Sequence, residues 1–176
     1  MKEKKKGRRA YLNDFQKNGA GGYVYKGDLY QYTDGEKKRK KDLLTLWAWY
    51  AGAVIFGIVA GCLPVEGLGR SAFVLLPYLV EMGGLAAVGW VLCRITAGGD
   101  PLRAYVYEAT VLKIPRRAWV AMIGAAATLI AGIVYVASQG FCTDMAADLA
   151  FLLMHPAVFA CIFGAKKKAG RMKWSK

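Results

Sequence analysis

Three ionisable side chains, Glu81, Asp148 and His155, stand in stretches otherwise almost empty of charge. A carboxyl and an imidazole can pass a proton between them or hold one jointly, and each is costly at mid-membrane unless it has a partner. At about 1.5 Å per helical residue, Glu81 lies roughly 13 Å into an apolar run that starts at residue 72, and His155 roughly 15 Å into one that starts at residue 145. Thr128 falls at the same level of a third run. Asp148 precedes His155 by two turns, Tyr78 stands three residues before Glu81, and Tyr135 seven after Thr128, so each shares a face with its neighbour. These six residues form a candidate polar layer with a track descending to it from one side. Two readings are open. Glu81 and His155 form a hydrogen-bonded, proton-sharing pair on an ion or proton route, or they are polar contacts that hold neighbouring helices together, with His155 serving the carbonyl freed by Pro156. Burial disfavours charge on both groups and mutual attraction favours it, so their charge state stays open.

Little else in the chain could do chemistry. Four cysteines and one histidine, with no Cys-x-x-Cys, do not make a zinc site, and no nucleophile stands at a recognisable spacing from a base. Neither metal nor cofactor is expected, and the chain is not expected to be an enzyme. Cys62 and Cys142 fall on the same side of the apolar runs, where an oxidising exterior would bridge them; free thiols in packing positions are the alternative.

The elements that must position these residues follow from hydropathy. The 176 residues are 56% hydrophobic, and the 25 Lys and Arg gather at the ends and in one loop. A helix needs about 20 apolar residues to cross a bilayer. Runs of that length extend over residues 43–63, 72–97, 118–138 and 145–165. They are continuous rather than alternating, which excludes a β-barrel. The first begins too far along, and is too long, for a cleavable signal core, so it is expected to remain as a span.

Lys and Arg number thirteen in residues 1–42, five in 94–117 and six in 166–176, against one, Arg70, in the two other loops. Basic segments resist translocation, so both termini and the 98–117 loop are expected in the cytoplasm, at the plasma membrane. Attraction of about 1 kcal/mol per basic residue to anionic headgroups accounts for this charge, so lipid is the expected partner and nucleic acid is not. A protein partner or a homo-oligomer is also open. Helices pack closely in lipid through small residues, offered here by Ala53, Gly57 and Gly61, by Gly83 and Gly84, and by Gly124, Thr128 and Gly132. Packing within one chain is favoured over a homodimer.

Residues 23–32 read as two short strands around a Gly27-Asp28 turn. That register sets Tyr25 opposite Tyr30 and Tyr23 opposite Tyr32, with all four rings on one side, a face for docking a partner or resting in the headgroup layer. Asp14 to Lys17 reads as a turn of helix. Asp100 and Pro101 predict the cap and first residue of an amphipathic interfacial helix over 101–112, ended near Pro115; a strand over Tyr105–Tyr107, paired with the hairpin, is the alternative. The expected fold is an all-α integral membrane protein: an antiparallel four-transmembrane-helix bundle over residues 43–165, with a small cytoplasmic hairpin before it and a basic tail after it. The expected function is a non-enzymatic accessory, regulatory or scaffold module, with a small transporter or channel using the Glu81/His155 layer as the alternative.

Overall fold

The computed structural model describes residues 14–17, 22–140 and 145–176. Four helices are long and apolar enough to cross a membrane. They are α1 (Glu36–Cys62), α3 (Ala72–Ala97), α5 (Ile114–Gln139) and α6 (Met145–Arg171), with two short helices between them, α2 (Glu66–Arg70) and α4 (Ala104–Ala109). The long helices reach past the apolar runs at the end that carries the termini, because Glu36 to Asp42 and Lys166 to Arg171 continue the helices as polar turns. α5 opens with Pro115 in its first turn. Proline is tolerated there because the first N–H groups of a helix have no intrahelical acceptor. Pro115 therefore starts a span rather than ending the interfacial helix. The same helix stops at Gly140, whose φ of 79° suits a residue without a Cβ.

Neighbours run antiparallel. Small residues set the contacts: Gly57 meets Leu85 and Met82 across α1–α3, Gly132 meets Leu152 across α5–α6, and Gly52 meets Cys161 across α1–α6. The closest approach is α3 against α5. A Cβ added to Gly84 would lie 2.6 Å from the Cα of Ala121, and one added to Gly124 would lie 2.6 Å from both N and Cα of Glu81. Only glycine permits that spacing. Gly83, grouped with Gly84 on sequence grounds, has nothing within 4 Å of its added Cβ and lies outside this contact. Going round the bundle the order is α1, α3, α5, α6, with α1 and α6 closing the ring, so α3 and α6 face each other across the diagonal.

The rim of the bundle is apolar, and a few ionisable groups lie inside it among apolar packing. Ile55, Ile58, Phe73, Leu76, Leu79, Ile123, Ile130 and Leu153 point outward, whereas Glu81, Thr128, Asp148 and His155 are fully buried. Such a rim is what helices long and apolar enough to cross a bilayer present, with the ionisable groups facing inward.

At the end of the bundle that carries the termini, five short strands depart from the expected hairpin. β1 (Phe15–Lys17) pairs with β2 (Tyr23–Tyr25), so Asp14 to Lys17 is extended rather than helical apart from Asp14 itself. β3 (Leu29–Tyr32) is the middle of a second sheet, flanked by β4 (Leu102–Arg103) and β5 (Trp174–Ser175). β2 and β3 do not pair with each other. Partners distant in sequence offer both edges of β3 a ladder, and a two-stranded hairpin alone is marginal. The interfacial helix over 101–112 is likewise replaced: Leu102 and Arg103 are extended, α4 spans only Ala104–Ala109, and a single 3-10 turn follows at Val111–Lys113. The Asp100 carboxylate accepts from the Tyr32 N–H at 3.3 Å instead of capping a helix. The inner loop does supply a strand to the N-terminal segment, but it is Leu102–Arg103 and not Tyr105–Tyr107.

Candidate functional site

Pro77 and Pro156 sit inside α3 and α6, and each removes one N–H from its helix ladder. Glu81 follows the first by one turn, and His155 immediately precedes the second. The Nδ1 of His155 lies 2.9 Å from Oε2 of Glu81, and both side chains are fully buried. The contact crosses the diagonal of the bundle, so it joins α3 to α6 rather than two neighbouring helices. Gly124 lets α5 come close beside Glu81: a Cβ there would lie 2.6 Å from the Glu81 N and Cα.

The contact has the distance of an ion pair but not the alignment of a hydrogen bond. Both carboxylate oxygens and both ring nitrogens lack a hydrogen-bonded partner, which also means that His155 does not serve the carbonyl freed by Pro156. The ring is held by aromatic edges, Phe151 at 4.5 Å between centroids and Tyr78 at 6.4 Å.

The remaining members of the layer divide. Tyr78 donates to the Gly57 carbonyl at 3.0 Å and so ties α3 to α1. Thr128 donates to the Gly124 carbonyl at 2.9 Å, within its own helix, and makes no bond to the pair. Asp148, 2% exposed, and Tyr135 line a small cleft with Val65, Gly67, Val74 and Phe151 at the end of the bundle away from the termini. Phe151 thus has one side on this cleft and its ring against His155. Towards the termini the interior is apolar: Leu85, Met122, Val158 and Ile162, then Val88, Val91, Leu92 and Leu46. The expected bridge between Cys62 and Cys142 falls outside the described residues, because Cys142 is not among them.

A second buried polar group stands at the other end, and sequence reasoning did not find it. The Tyr32 hydroxyl donates to Asp42 Oδ2 at 2.5 Å, and Lys168 donates to Asp42 Oδ1 at 2.6 Å, which locks β3 to α1 and α6. Burial and the Asp42 carboxylate push the Tyr32 hydroxyl well above the usual phenol value. Arg39 donates to the Ile95 carbonyl at 3.1 Å and lies over the Trp174 ring. The signal was present but faint: Asp42 is the acid that closes the run Lys37 to Lys41, one residue before the apolar stretch.

The four tyrosines do not share an exposed face. Tyr32 is 2% exposed and Tyr23 is 72% exposed. Tyr30 stacks on Tyr107 at 4.1 Å, while Tyr25 meets Phe15 and Tyr105 edge-on and donates to the Asp28 carbonyl. Alternation over residues 23–32 breaks because β2 and β3 belong to different sheets. Tyr25, Tyr30 and Tyr32 therefore fasten the cap internally, while Tyr23 projects from it.

No protein-family model matches the chain, and neither a curated protein nor a solved structure matches it.

Proposed function

We propose that the protein is a non-catalytic membrane module, both ends cytoplasmic at the plasma membrane, in which a rigid helical anchor presents a folded cap to anionic lipid and to a protein partner. The observation that carries this reading is the cap itself. Segments before α1, between α3 and α5, and after α6 are knitted together through β3, Asp42 and Arg39, while Lys37, Lys40, Lys41, Arg116, Lys167 and Arg171 remain exposed around it. A structured, strongly basic platform fits a docking role better than a solute path does. Photocrosslinking from position 23 in native membranes is the test, since Tyr23 projects from the cap. A discrete protein adduct supports the platform, and lipid adducts alone reduce it to an anchor.

The competing reading is a proton or ion conduit, favoured by the Glu81–His155 contact and opposed by the apolar packing between that contact and the cap. Flux through proteoliposomes that is lost on Glu81→Gln would favour the conduit.

A further inference from the structure

Most described carboxylates at the end of the bundle that carries the termini are already engaged. Asp28 pairs with Lys176, Asp34 with Lys38, Glu36 with Lys40 and Asp42 with Lys168, while Asp100 accepts from the Tyr32 N–H. The cations outnumber them. Arg116 on α5 and Lys166 on α6 stand on packed neighbouring helices, and among the described residues neither has a carboxylate within ion-pair distance. Arg117 turns the other way and donates to the Ala87 carbonyl on α3 at 2.9 Å, so it is committed elsewhere.

At this level the seam between α5 and α6 is built rather than loose. Lys166 Nζ lies 4.0 Å from the centre of the Trp119 ring, a contact that crosses from α6 to α5 and holds the ammonium against the aromatic face. Arg116 precedes Trp119 by three residues, so the two share a helix face with about 5–6 Å between their Cβ atoms. Trp119 is 49% exposed and Arg116 is exposed, so a group outside the bundle can reach both. Gly170, one turn beyond Lys166, has nothing within 4 Å of an added Cβ and leaves the approach open.

Depth selects the occupant. Trp119 is the second residue of the apolar run 118–138, and Lys166 directly follows the run 145–165, so the contact sits where hydrocarbon would give way to headgroups. On its apolar side, Ile123 of α5 and Phe159 and Phe163 of α6 are exposed. Positive charge thus adjoins an apolar surface, which matches the two ends of a phospholipid, whereas a soluble anion would use only the first. A headgroup with its own ammonium would add a third positive charge, so a phosphate without one is favoured.

We propose that the α5–α6 seam is a binding site for one anionic phospholipid, with its phosphate between Lys166 Nζ and the Arg116 guanidinium and its acyl chains along Ile123, Phe159 and Phe163. This inference rests on the membrane placement and lipid contact of the reading above, and it replaces diffuse attraction with a single site on the flank of the bundle. It does not depend on a protein partner.

The full chain is reconstituted in phosphatidylcholine nanodiscs containing a minor share of phosphatidylglycerol, released, and weighed by native mass spectrometry. One phosphatidylglycerol should stay bound at collision energies that strip further copies and all phosphatidylcholine. Lys166→Gln and Arg116→Gln should each weaken retention about tenfold, as loss of one charge-assisted hydrogen bond does. Lys166→Arg should preserve it, and Lys26→Gln, an exposed basic position elsewhere at the same end, should leave it unchanged. Phosphatidylglycerol with brominated chains should quench tryptophan emission more than brominated phosphatidylcholine does, and Trp119→Phe should abolish the excess. A graded series of adducts with no favoured first copy, equal losses at Lys26 and Lys166, or displacement by excess inorganic phosphate overturns the proposal. If the variants at 116 and 166 do not fold, the quenching comparison between the unaltered chain and Trp119→Phe decides. Failure here leaves the docking cap standing, and lipid adducts alone from position 23 leave this site standing.

Discussion

Adding one methyl group at Gly124 tests the packing that makes the central contact possible. The new Cβ of Gly124→Ala would sit 2.6 Å from the Glu81 backbone, about 1 Å short of the 3.5–4.0 Å at which carbon atoms rest. The obstruction is backbone on a helix, not the tip of a side chain, so α3 and α5 must move apart. Overpacking of this kind costs about 1–3 kcal/mol, and for a chain of this length each kcal/mol lowers Tm by about 2–4 °C. Thermal unfolding in detergent should therefore show a fall towards the upper part of a range of about 2–12 °C. Gly84→Ala meets Ala121 at the same distance and should cost as much. The double variant should cost less than the sum, since separating the helices for one methyl makes room for the other. Gly83→Ala, one residue along, faces open space and should leave Tm unchanged or slightly raised. Equal effects at positions 83 and 84, or a neutral Gly124→Ala, would refute the argument.

Three further outcomes follow from the cap and the central pair. Asp42→Ala strands a buried tyrosine hydroxyl and a lysine together, so it should destabilise by about 2–4 kcal/mol, against about 1 kcal/mol for Tyr32→Phe, as read from chemical unfolding. Tyr32 also makes the cap alkali-sensitive. Its value in the folded chain is raised above the ordinary one near 10, so the stability it lends is whole below about pH 10 and drains away as pH climbs towards the folded value. Tyr25 and Tyr107 are raised by burial in the same direction, so Tyr32→Phe should flatten most, not all, of the loss in a Tm-against-pH series. Finally, Glu81→Gln, His155→Leu and the double variant should show non-additive Tm losses; strictly additive ones would contradict the 2.9 Å contact.

The four long helices were legible because continuous apolar runs of about 20 residues rarely arise by accident, and the helices of the structure cover those runs almost entirely. The depth of Glu81 and His155 was legible for a related reason: a helix is a ruler, and counting residues put both at one level. Their relation across the diagonal was not, because depth says nothing about azimuth. The cap was misread where partners lay far apart in sequence. Gly27-Asp28 carries a strong local turn signal, yet Leu102 and Trp174 compete for the edges of β3, and no window over residues 23–32 contains them. Asp100-Pro101 has the chemistry of a helix start, and the Asp100 carboxylate is instead committed to the Tyr32 N–H, a partner 68 residues away. Gly83 and Gly84 look alike in sequence, and only the crossing of α3 with α5 distinguishes them.

The position of β3 bears on how the chain is inserted. It is made before any span, and the last of its partners, Ser175 beside Gln31, follows 144 residues later. β4 can cover one edge once residue 103 has been made, but until Ser175 follows the other edge has no partner strand. Pairing requires the segment ahead of α1 and the segment beyond α6 to emerge on a common face of the bilayer. A polypeptide in which one span has failed to enter, or has entered twice over, leaves them in different compartments and cannot close the ladder. The sheet therefore closes only in a chain whose first and last segments lie at one end of the helix bundle.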